Sequence, residues 1–545
     1  MFSFGRSTTI APILWVLGIL GVAGLRWGSP TVGWSFLGLA AALVLLLPAI
    51  ADPPGPNTLS PRVEYAVLFC VLLATTFFRL WRLPELPPGC WADEAENGLE
   101  TLRILRGDWF VFTPDNGGRG CLHFFWAAPF FALRGPNVVS LRLASAVMGI
   151  ATIPAVWCLL RQYDSARTAL WGAGLLALST WHVTISRIGF DAIMTPLFDT
   201  LVVLAVVRAC RTGSLLWFGL AGLVAGLANY GYAASRLTPV LAVTAFLVFM
   251  GTLAPRQRLW GAAVAFAVFS AVLAPLAHYA WQHPDDVLKR VRHVSLLGVA
   301  QRRSFEPLLQ RVGSTMRLLH QEGDDIARHN LPDRPMLDPI TGLMFLAGLG
   351  VAWRRRWQRK FVFMLLWLAL VFFFGSVLTD GAEGLRTISA LVPICFFAAW
   401  GWQAASSRIQ GASAVVAATA LAALVGVGAY RAYFVDYAGS SQVRRAFSPR
   451  GYAVGEYVRQ ELPGRTVVLS EQIERSVVQF VGRQDGAGLV SRPTQLMKPH
   501  DGAVFVLAPY EQMPRWARKP SYEWHTQGGP GWREQFTVIR GSETQ

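Results

Sequence analysis

The chain has 545 residues, of which 53% are hydrophobic and only 15% are charged, and its mean hydropathy is +0.39. This composition is too apolar for a soluble protein and predicts many membrane-spanning helices. The formal net charge of +16 raises the question of nucleic acid as a partner. Most arginines, however, lie in short connections between long apolar runs, the pattern that orients membrane helices. No nucleic-acid partner is therefore expected.

Thirteen apolar segments of about 20 residues, the length that crosses a bilayer, follow one another along the chain. They centre near residues 18, 41, 72, 150, 177, 200, 221, 242, 269, 346, 370, 395 and 421. The first segment is interpreted as a retained anchor, because no clean cleavage site follows it. The first two spans and a Pro-rich linker form an N-terminal addition, residues 1–63, to a membrane core of residues 64–435.

Five basic connections decide the expected orientation. Their sequences are "RQYDSAR", "RACRTGS", "APRQR", "WRRRWQRK" and "SSRIQ". All five lie on one face, which the positive-inside rule makes cytoplasmic, if the short apolar segment 122–135 is re-entrant or interfacial. The loops 81–137 and 282–338 then lie outside the cytoplasm. We expect a multi-pass protein of a bacterial-type inner (plasma) membrane whose functional surface is extracytoplasmic.

After residue 435 the sequence changes character. Residues 436–545 alternate helix-like pieces such as "GYAVGEYVRQELPG" with strand-like pieces such as "RTVVLSE" and "GAVFVLAPYEQ". This alternation predicts a small extracytoplasmic α/β domain. It either contacts an acceptor or a partner or serves structure alone. The predicted fold is an all-α polytopic membrane protein with a small C-terminal α/β domain.

The segment "CWADEAENGLETLRIL" collects acids at the start of the first outer loop. Asp93 and Glu96 have the spacing of a helix-capping box, which predicts that Asp93 caps a helix. Glu94 would also favour the positive end of that helix. A residue that caps a helix can still present its free oxygen to a cleft, so the two roles are compatible.

Basic residues converge on the same predicted membrane surface. They are Arg119 in the Gly-rich "NGGRG", Arg187 in "SRIGFD", and Arg236 and Arg386 at the starts of two further spans. Arginine binds phosphate oxygens through a planar fork of donors, so these four are candidates for binding a phosphate at headgroup depth. The alternative for each arginine is that it anchors a helix end by snorkelling.

Three stretches carry a resemblance to a known family. They are "CWADEAENGLETLRILRGDW", "GGRGCLHFFWAAPFFALRGPNVVSLRLASAVMGIATIPAVWCLLR" and "STWHVTISRIGFDAIMTPLF". These stretches resemble the polyprenyl-phosphate-sugar-dependent glycosyltransferases, which include protein O-mannosyltransferases and the lipid A aminoarabinose transferase and share the C-type membrane fold with about 13 transmembrane helices. The resemblance covers roughly residues 64–405 and implies that fold here.

The resemblance also implies roles for individual residues. Asp93 is the implied catalytic base, Glu94 completes the acidic pair of the family, and Asp191 matches a second-loop carboxylate. Arg119 matches the basic residue that contacts the lipid phosphate. Close relatives often have Glu after this basic residue, whereas the present chain has Gly120. Any metal or acceptor role of that Glu is in doubt here.

The implied function is transfer of a sugar from a polyprenyl phosphate to an extracytoplasmic lipid, glycan or protein acceptor, with membrane lipids around the protein. Such transfer needs a base for the acceptor proton and donors for the leaving phosphate. Asp191 would orient the acceptor or share a divalent ion, Mg or Mn, with Asp93. Two carboxylates are a thin metal signature, so no metal ligands are assigned.

Two other functions fit the same sequence. One is a non-catalytic lipid or polysaccharide transporter or flippase whose arginines bind the headgroup during passage. Transporters are expected to carry charges near the midplane and paired broken helices, whereas the charges here collect at one face. The other is a ligase or polymerase acting on lipid-linked oligosaccharide, which would differ in its donor.

Two further predictions concern the outer loops. Apolar residues at helical spacing between Phe305 and Leu319, with arginines between them, predict an amphipathic helix on the membrane surface. It either gates entry to the site or serves as a lid without selectivity. Cys90 and Cys121 both lie in the first outer loop, in a compartment that permits disulfides, so a bridge between them and two free thiols are equally expected.

Overall fold

The computed structural model describes residues 59–287, 306–379, 383–482, 485–498, 503–527 and 535–541. The two predicted N-terminal spans and most of the linker after them lie outside the described residues, as does the first part of the predicted amphipathic segment. The described residues form a helical membrane region and a smaller mixed domain at the C-terminus.

The first half of the membrane region places short helices between long ones. In chain order they are α1 (Pro61–Leu80), α2 (Ala92–Leu105), α3 (Leu122–Arg134), α4 (Val138–Tyr163), α5 (Ala166–Leu178), α6 (Thr180–Ser186), α7 (Met194–Thr212), α8 (Leu215–Ala228), α9 (Thr238–Phe249) and α10 (Pro255–Gln282). A two-stranded hairpin of β1 (Phe112–Thr113) and β2 (Arg119–Gly120) lies between α2 and α3.

The second half continues the bundle and ends in the C-terminal domain. Its membrane-region helices are α11 (Glu306–His320), α12 (Pro339–Arg354), α13 (Arg359–Phe372), α14 (Gly384–Thr387), α15 (Leu391–Ala405) and α16 (Gly411–Tyr430). The helices that follow are α17 (Ser441–Ala446), α18 (Pro449–Glu461) and α19 (Arg475–Gly482). The strands are β3 (Val467–Ser470), β4 (Leu489–Arg492), β5 (Val504–Leu507), β6 (Tyr522–Gln527) and β7 (Phe536–Gly541).

Eight helical segments in the described part of the chain are long and apolar enough to cross a membrane. They are Pro61–Leu80, Val138–Tyr163, Asp191–Thr212, Ala233–Thr252, Pro255–Gln282, Arg359–Val377, Gly384–Ala405 and Gly411–Tyr437. The spans predicted near residues 221 and 346 are the shorter helices α8 and α12, and the one near 177 is divided at Ser179 into α5 and α6. The polytopic helical fold is confirmed, while the total of thirteen spans stays a prediction.

Small residues allow the closest approach between helices in the bundle. A Cβ added to Gly348 of α12 would lie within 1.8 Å of the backbone oxygen of Phe397 in α15. In the same way, a Cβ at Gly401 of α15 would lie 1.9 Å from the backbone oxygen of Met344. Glycine at these two positions lets the backbones pack directly, as is common where helices associate in membranes.

The short apolar segment 122–135 forms a helix that is not among the eight long segments. It is α3, which has 13 residues and is followed by the C-cap residue Gly135, where φ is +81°. The helix lies against α2 and α4, and most of its residues are buried, including Phe124 and Phe131. A short helix packed against α2 and α4 agrees with the prediction that this segment does not span the membrane.

The C-terminal region contains one five-stranded mixed sheet. Its strand order is β4-β3-β5-β7-β6, in which β4, β3 and β5 are parallel and the other two pairings are antiparallel. Val454 and Val458 of α18 and Val478 of α19 share a buried apolar cluster with strand residues such as Val467. The predicted small α/β domain is confirmed.

The C-terminal domain lies against the part of the membrane region that carries the predicted site. Helix α19 packs on α2, and Phe480 of α19 stacks on Phe131 of α3, with ring centroids 6.0 Å apart. The backbone N–H of Cys90, just before α2, donates to the carbonyl oxygen of Phe447 at 2.8 Å. The position of α2 therefore depends on contacts with the C-terminal domain.

Candidate active site

The helix that carries the acids begins one residue before Asp93. Trp91 has an extended backbone (φ −76°, ψ 148°), and α2 starts at Ala92. The backbone N–H of Trp91 donates to Oε2 of Glu94 at 3.1 Å, so Glu94 closes the first turn. The prediction that Asp93 and Glu96 form the capping box was wrong. The N-cap residue is Trp91, and the residue three positions later that completes the box is Glu94. The carboxylate of Asp93 is not used for capping.

Asp93 forms an ion pair with Arg119 across the first outer loop. Nη2 of Arg119 lies 2.9 Å from Oδ2 of Asp93, and the two side chains are 11% and 26% exposed. Nη1 of Arg119 donates to the side-chain oxygen of Asn97, whose amide donates to the carbonyl oxygen of Gly189 at 2.9 Å. The guanidinium also lies over the ring of Phe190, 5.0 Å from its centroid. These contacts fix Arg119 beside a carboxylate that remains accessible.

The hairpin that presents Arg119 fits tightly against the loop before α9. Arg119 pairs with Thr113 in the hairpin register. A Cβ added to the next residue, Gly120, would lie 2.2 Å from the backbone oxygen of Tyr230. The same oxygen accepts a hydrogen bond from the backbone N–H of Leu122 at 2.9 Å. The Glu that relatives often have at this position would not fit here unless the backbone moved.

Glu94 is enclosed in the protein, although it is adjacent to Asp93. Its side chain is fully buried, and Arg142 of α4 donates to its two oxygens at 2.9 and 3.0 Å. The backbone N–H of Gly189 donates to Oε1 of Glu94 at 2.7 Å. Arg142 also donates to the carbonyl oxygens of Pro87 and Gly89. The structure therefore separates the two adjacent acids: Glu94 joins α2 to α4, and Asp93 pairs with Arg119 and stays partly exposed.

Asp191 and Arg236 lie with Arg119 at one pocket. Its volume is about 350 Å³, including space open to solvent. The residues that line it are Gly118, Arg119, Gly120, Phe190, Asp191, Gly231, Tyr232, Ala233 and Arg236. Asp191 is 3% exposed. For Arg236 the structure records no hydrogen bond or ion pair with the described residues. Two of the four candidate arginines and the second candidate carboxylate thus share a cavity.

The other two candidate arginines contact protein groups elsewhere. Arg187 is fully buried; its Nε donates to the Tyr433 hydroxyl at 3.1 Å, and its Nη atoms donate to the carbonyl oxygens of Phe78, Trp81 and Leu86. Arg386 lies 3.1 Å from the carboxylate of Glu383. Neither arginine lines the pocket. The structure does not bring them to the site that Arg119 and Arg236 share.

Sequence reasoning missed two residues that shape the site. Asn97 lies four residues after Asp93, so the helical repeat puts both on the same face of α2, and this spacing was the available signal. The guanidinium of Arg328 lies over the Trp91 ring at 4.3 Å from its centroid, and its charge is close enough to Asp93 to interact with it. No sequence pattern links Arg328 to α2.

The cysteines of the first outer loop are free and buried. Cys90 and Cys121 form no disulfide in the structure. Cys90 belongs to the main buried cluster, whereas Cys121 packs with Phe112 and Phe124 in a separate cluster. Burial raises the pKa of the Cys121 thiol to about 12, so this thiol is a poor nucleophile for disulfide exchange.

A divalent ion shared by Asp93 and Asp191 stays a prediction. Within the described ranges, no group of three or more His, Cys, Asp or Glu side chains is placed to hold a metal. Asp93 already pairs with Arg119, which opposes a second cation at the same oxygens. The transfer mechanism that we propose for this protein uses no metal.

The predicted amphipathic helix of the second long outer loop is α11. Leu318 and Leu319 are buried, at 1% and 6% exposure, whereas Met316 is 74% exposed. Thr315 hydrogen-bonds Ser376, which connects α11 to the end of the span after α12. The structure confirms the helix, and a gating role stays a prediction.

Comparisons with known proteins agree with this architecture. Residues 119–275 match the family described as dolichyl-phosphate-mannose-protein mannosyltransferase. A comparison with curated protein sequences finds no significant match. ArnT from Cupriavidus metallidurans, in a crystal structure bound to undecaprenyl phosphate, is 14% identical with a TM-score of 0.55, and the match covers 88% of the present chain and 98% of ArnT.

A second solved structure shares the fold over a smaller part of its length. The oligosaccharyltransferase of Archaeoglobus fulgidus, tethered to an acceptor peptide, is 14% identical with a TM-score of 0.51. The match covers 79% of the present chain and 64% of the archaeal protein. The shared fold and the family match over residues 119–275 agree with the resemblance of the motifs around Asp93 and Arg119 to polyprenyl-phosphate-dependent C-type membrane glycosyltransferases.

Proposed function

We propose that the protein transfers a sugar from a polyprenyl-phosphate donor to an extracytoplasmic acceptor. The observation that carries this proposal is the Asp93–Arg119 ion pair at the edge of a pocket that also contains Asp191 and Arg236. One carboxylate for the acceptor and two arginines for a phosphate are the groups that this reaction needs. ArnT was solved with undecaprenyl phosphate, and the archaeal enzyme was solved with dolichol phosphate in another complex.

Arg119 and Arg236 are proposed to bind the donor phosphate. Both line the pocket, and the described structure records no competing partner for Arg236. Guanidinium groups form paired, charge-assisted hydrogen bonds with phosphate oxygens. A phosphate bound to Arg119 would weaken the ion pair between Arg119 and Asp93. Donor binding would thereby release the Asp93 carboxylate toward the acceptor.

Asp93 is proposed as the base. The acceptor oxygen forms a bond with the anomeric carbon of the sugar while the O–H bond of the acceptor breaks and Asp93 receives the proton. The bond between the anomeric carbon and the phosphate oxygen breaks, and its electron pair leaves with the phosphate. The two arginines stabilise the charge that develops on this leaving group. Asp191, which is buried and lines the pocket, is proposed to orient the acceptor.

The proposed setting is a bacterial-type inner membrane with the pocket on the extracytoplasmic side. The basic connections support this orientation, because the positive-inside rule favours a cytoplasmic face opposite the loop that contains Asp93 and Arg119. The acceptor is proposed to be a lipid, glycan or protein that reaches this surface. Hexosyl and pentosyl donors both belong to the proposed class, and the assay below includes both.

The test uses the full chain in detergent with radiolabelled undecaprenyl phosphates carrying mannose, glucose or aminoarabinose. Extracted envelope lipids, glycans and proteins serve as acceptors. Loss of the base in Asp93→Asn should lower the transfer rate by about 10²- to 10⁴-fold. Loss of one charged phosphate contact in Arg236→Gln should lower kcat/KM by about 10- to 100-fold. Arg134→Gln, at the exposed end of α3, is the matched control and should retain transfer within about twofold, as surface substitutions usually do.

Two outcomes would overturn the proposal. Transfer that persists in a folded Asp93→Asn variant would remove Asp93 as the base. Equal binding of the labelled lipids by wild type and variant, with no transfer by either, would favour the transporter. Thermal unfolding of each variant shows whether it is folded before its rate is compared.

A further inference from the structure

Glu96 lies one helical turn after Asp93, on the same face of α2. Residues three apart on a helix have neighbouring Cβ atoms. The side chain of Glu96 is partly buried, and its Oε2 atom is enclosed without a hydrogen-bond partner among the described residues. Buried polar atoms nearly always have a partner, so an exception next to a reaction centre requires an explanation.

The other acids of α2 all have a cationic partner. Asp93 pairs with Arg119, and Glu94 pairs with Arg142. Glu100 accepts a hydrogen bond from Arg103 at 2.8 Å. Among the acids of this helix, Glu96 alone lacks a recorded ion pair. Glu96 therefore differs from the other acids of α2 in its environment, although all four side chains are carboxylates.

The charged groups around Glu96 come from four segments. They are Asp93 on its own helix, Arg119 on β2, Asp115 in the turn between β1 and β2, and Glu474 just before α19. Three of these four are acids. Burial raises the pKa of Glu96 to about 7; the positive charge of Arg119 opposes the rise, and the negative charges of Asp93, Glu474 and Asp115 add to it.

A carboxyl group in this environment binds a proton more readily than an ordinary surface carboxylate. During transfer, Asp93 gains the acceptor proton and loses its charge, which breaks its attraction to Arg119. A neighbouring base that takes this proton would restore the ion pair. Proton transfer across one helical turn requires only a direct contact or one bridging water.

We propose that Glu96 receives from Asp93, through a bridging water, the proton that the acceptor hydroxyl gives up. This proposal rests on the proposed transfer reaction and adds a second proton-handling residue to it. The proton moves from the acceptor oxygen to Asp93, then to the water as that water gives its own proton to Glu96, and finally from Glu96 to solvent. No electrons are exchanged in these steps. Glu96 does not touch the sugar, so it acts as a positioning and relay residue.

The first test is the pH dependence of transfer from the labelled undecaprenyl phosphates. In the wild type, kcat should fall on the acid side with a midpoint near the pKa of about 7, because a protonated Glu96 is unable to accept the proton. Glu96→Gln should lower kcat by about tenfold or more and leave the KM for donor unchanged. It should also remove the fall of kcat at acid pH, the acid limb of the pH profile. Glu96→Asp should restore part of the rate and of the limb.

Glu100→Gln is the matched control, since it removes a carboxylate from the same face of α2 one turn further on. It should keep the acid limb. The proposal is overturned if Glu96→Gln retains the wild-type limb, or if Glu100→Gln loses the limb to the same degree. A change in donor KM without a change in kcat would instead indicate that Glu96 acts in donor binding.

A second measurement separates this proposal from the transfer reaction itself. Infrared difference spectra of the full chain between pH 6 and pH 8, without donor, should show a protonated-carboxyl band in the wild type that is missing in Glu96→Gln. Absence of the band in the wild type overturns the relay. Presence of the band in a protein that transfers none of the labelled sugars overturns the proposed function and confirms the proton site on Glu96.

Discussion

Phe480 of the C-terminal domain lies directly against Gly98 of the helix that carries Asp93. A Cβ added to Gly98 would lie 2.3 Å from Cε2 of Phe480. Phe480 also stacks on Phe131 of α3, so one aromatic side chain contacts the two helices beside the site. The domain that sequence reasoning left without a specific role is thus part of the support for Asp93.

Gly98→Ala should destabilise the protein. Alanine would gain about 1 kcal/mol in helix propensity over glycine, whereas overpacking against Phe480 should cost about 1 to 3 kcal/mol. The second effect is expected to dominate, and the displacement of α19 should lower transfer as well. The measurement is the apparent Tm in detergent, together with the transfer rate.

The matched control for Gly98 is Gly428→Ala in α16, where an added Cβ meets nothing within 4 Å. That variant should be neutral or slightly more stable. Equal stability of Gly98→Ala and Gly428→Ala would contradict the tight contact between α2 and α19.

Gly120→Ala should impair the site without removing any functional group. The new Cβ would overlap the backbone oxygen of Tyr230, which is unable to move as a flexible side chain does. We expect β2 to shift and the Asp93–Arg119 ion pair to be lost, with a fall in transfer of about tenfold or more, because small misplacements of reacting groups are costly. Gly120→Glu should be worse still. Wild-type transfer by Gly120→Glu would contradict the explanation that the backbone of Tyr230 leaves no room for a side chain at position 120.

Removal of one partner from the Glu94–Arg142 pair should be more damaging to folding than removal of Asp93. Both side chains of the pair are buried, with 1% and 0% exposure. An uncompensated buried charge typically costs about 3 to 5 kcal/mol. Glu94→Gln and Arg142→Met should therefore lower the yield of folded protein and its Tm. Asp93→Asn, at a partly exposed position, should remain folded. A stable Glu94→Gln protein that has lost only transfer would instead support a catalytic role for Glu94.

The stability of the protein should depend on Glu96 through pH. Its pKa is raised from 4.5 to about 7 in the folded protein, so the folded state binds a proton more strongly than the unfolded state between these values. Stability contributed by this group is then present at low pH and declines as pH rises through that range. Glu96→Gln should raise the apparent Tm relative to wild type at pH 8 and have little effect at pH 5. An equal effect at both pH values would contradict the raised pKa.

The site illustrates how far the sequence was informative. Hydropathy and the resemblance around Asp93 and Arg119 pointed to two residues that the structure does place 2.9 Å apart. The capping prediction failed because the two interpretations of "WADEAE" differ by two residues in register, and only the extended backbone at Trp91 decides between them. The resemblance singled out Arg119, whereas Arg187, Arg236 and Arg386 were equivalent in sequence, since each follows or precedes an apolar helix.

The sequence by itself determined the properties that depend on local composition and periodicity. These are the many apolar helices, the short helix α3, the amphipathic α11 and the alternating helices and strands of the tail, because a span or a strand needs only its own residues to be recognised. Tertiary structure decided which charges meet. Arg142 lies 48 positions from Glu94 in the chain, and Phe480 lies 382 positions from Gly98. Only the packing of such distant segments buries Glu94, brings Arg236 to the pocket and sets the C-terminal domain against α2.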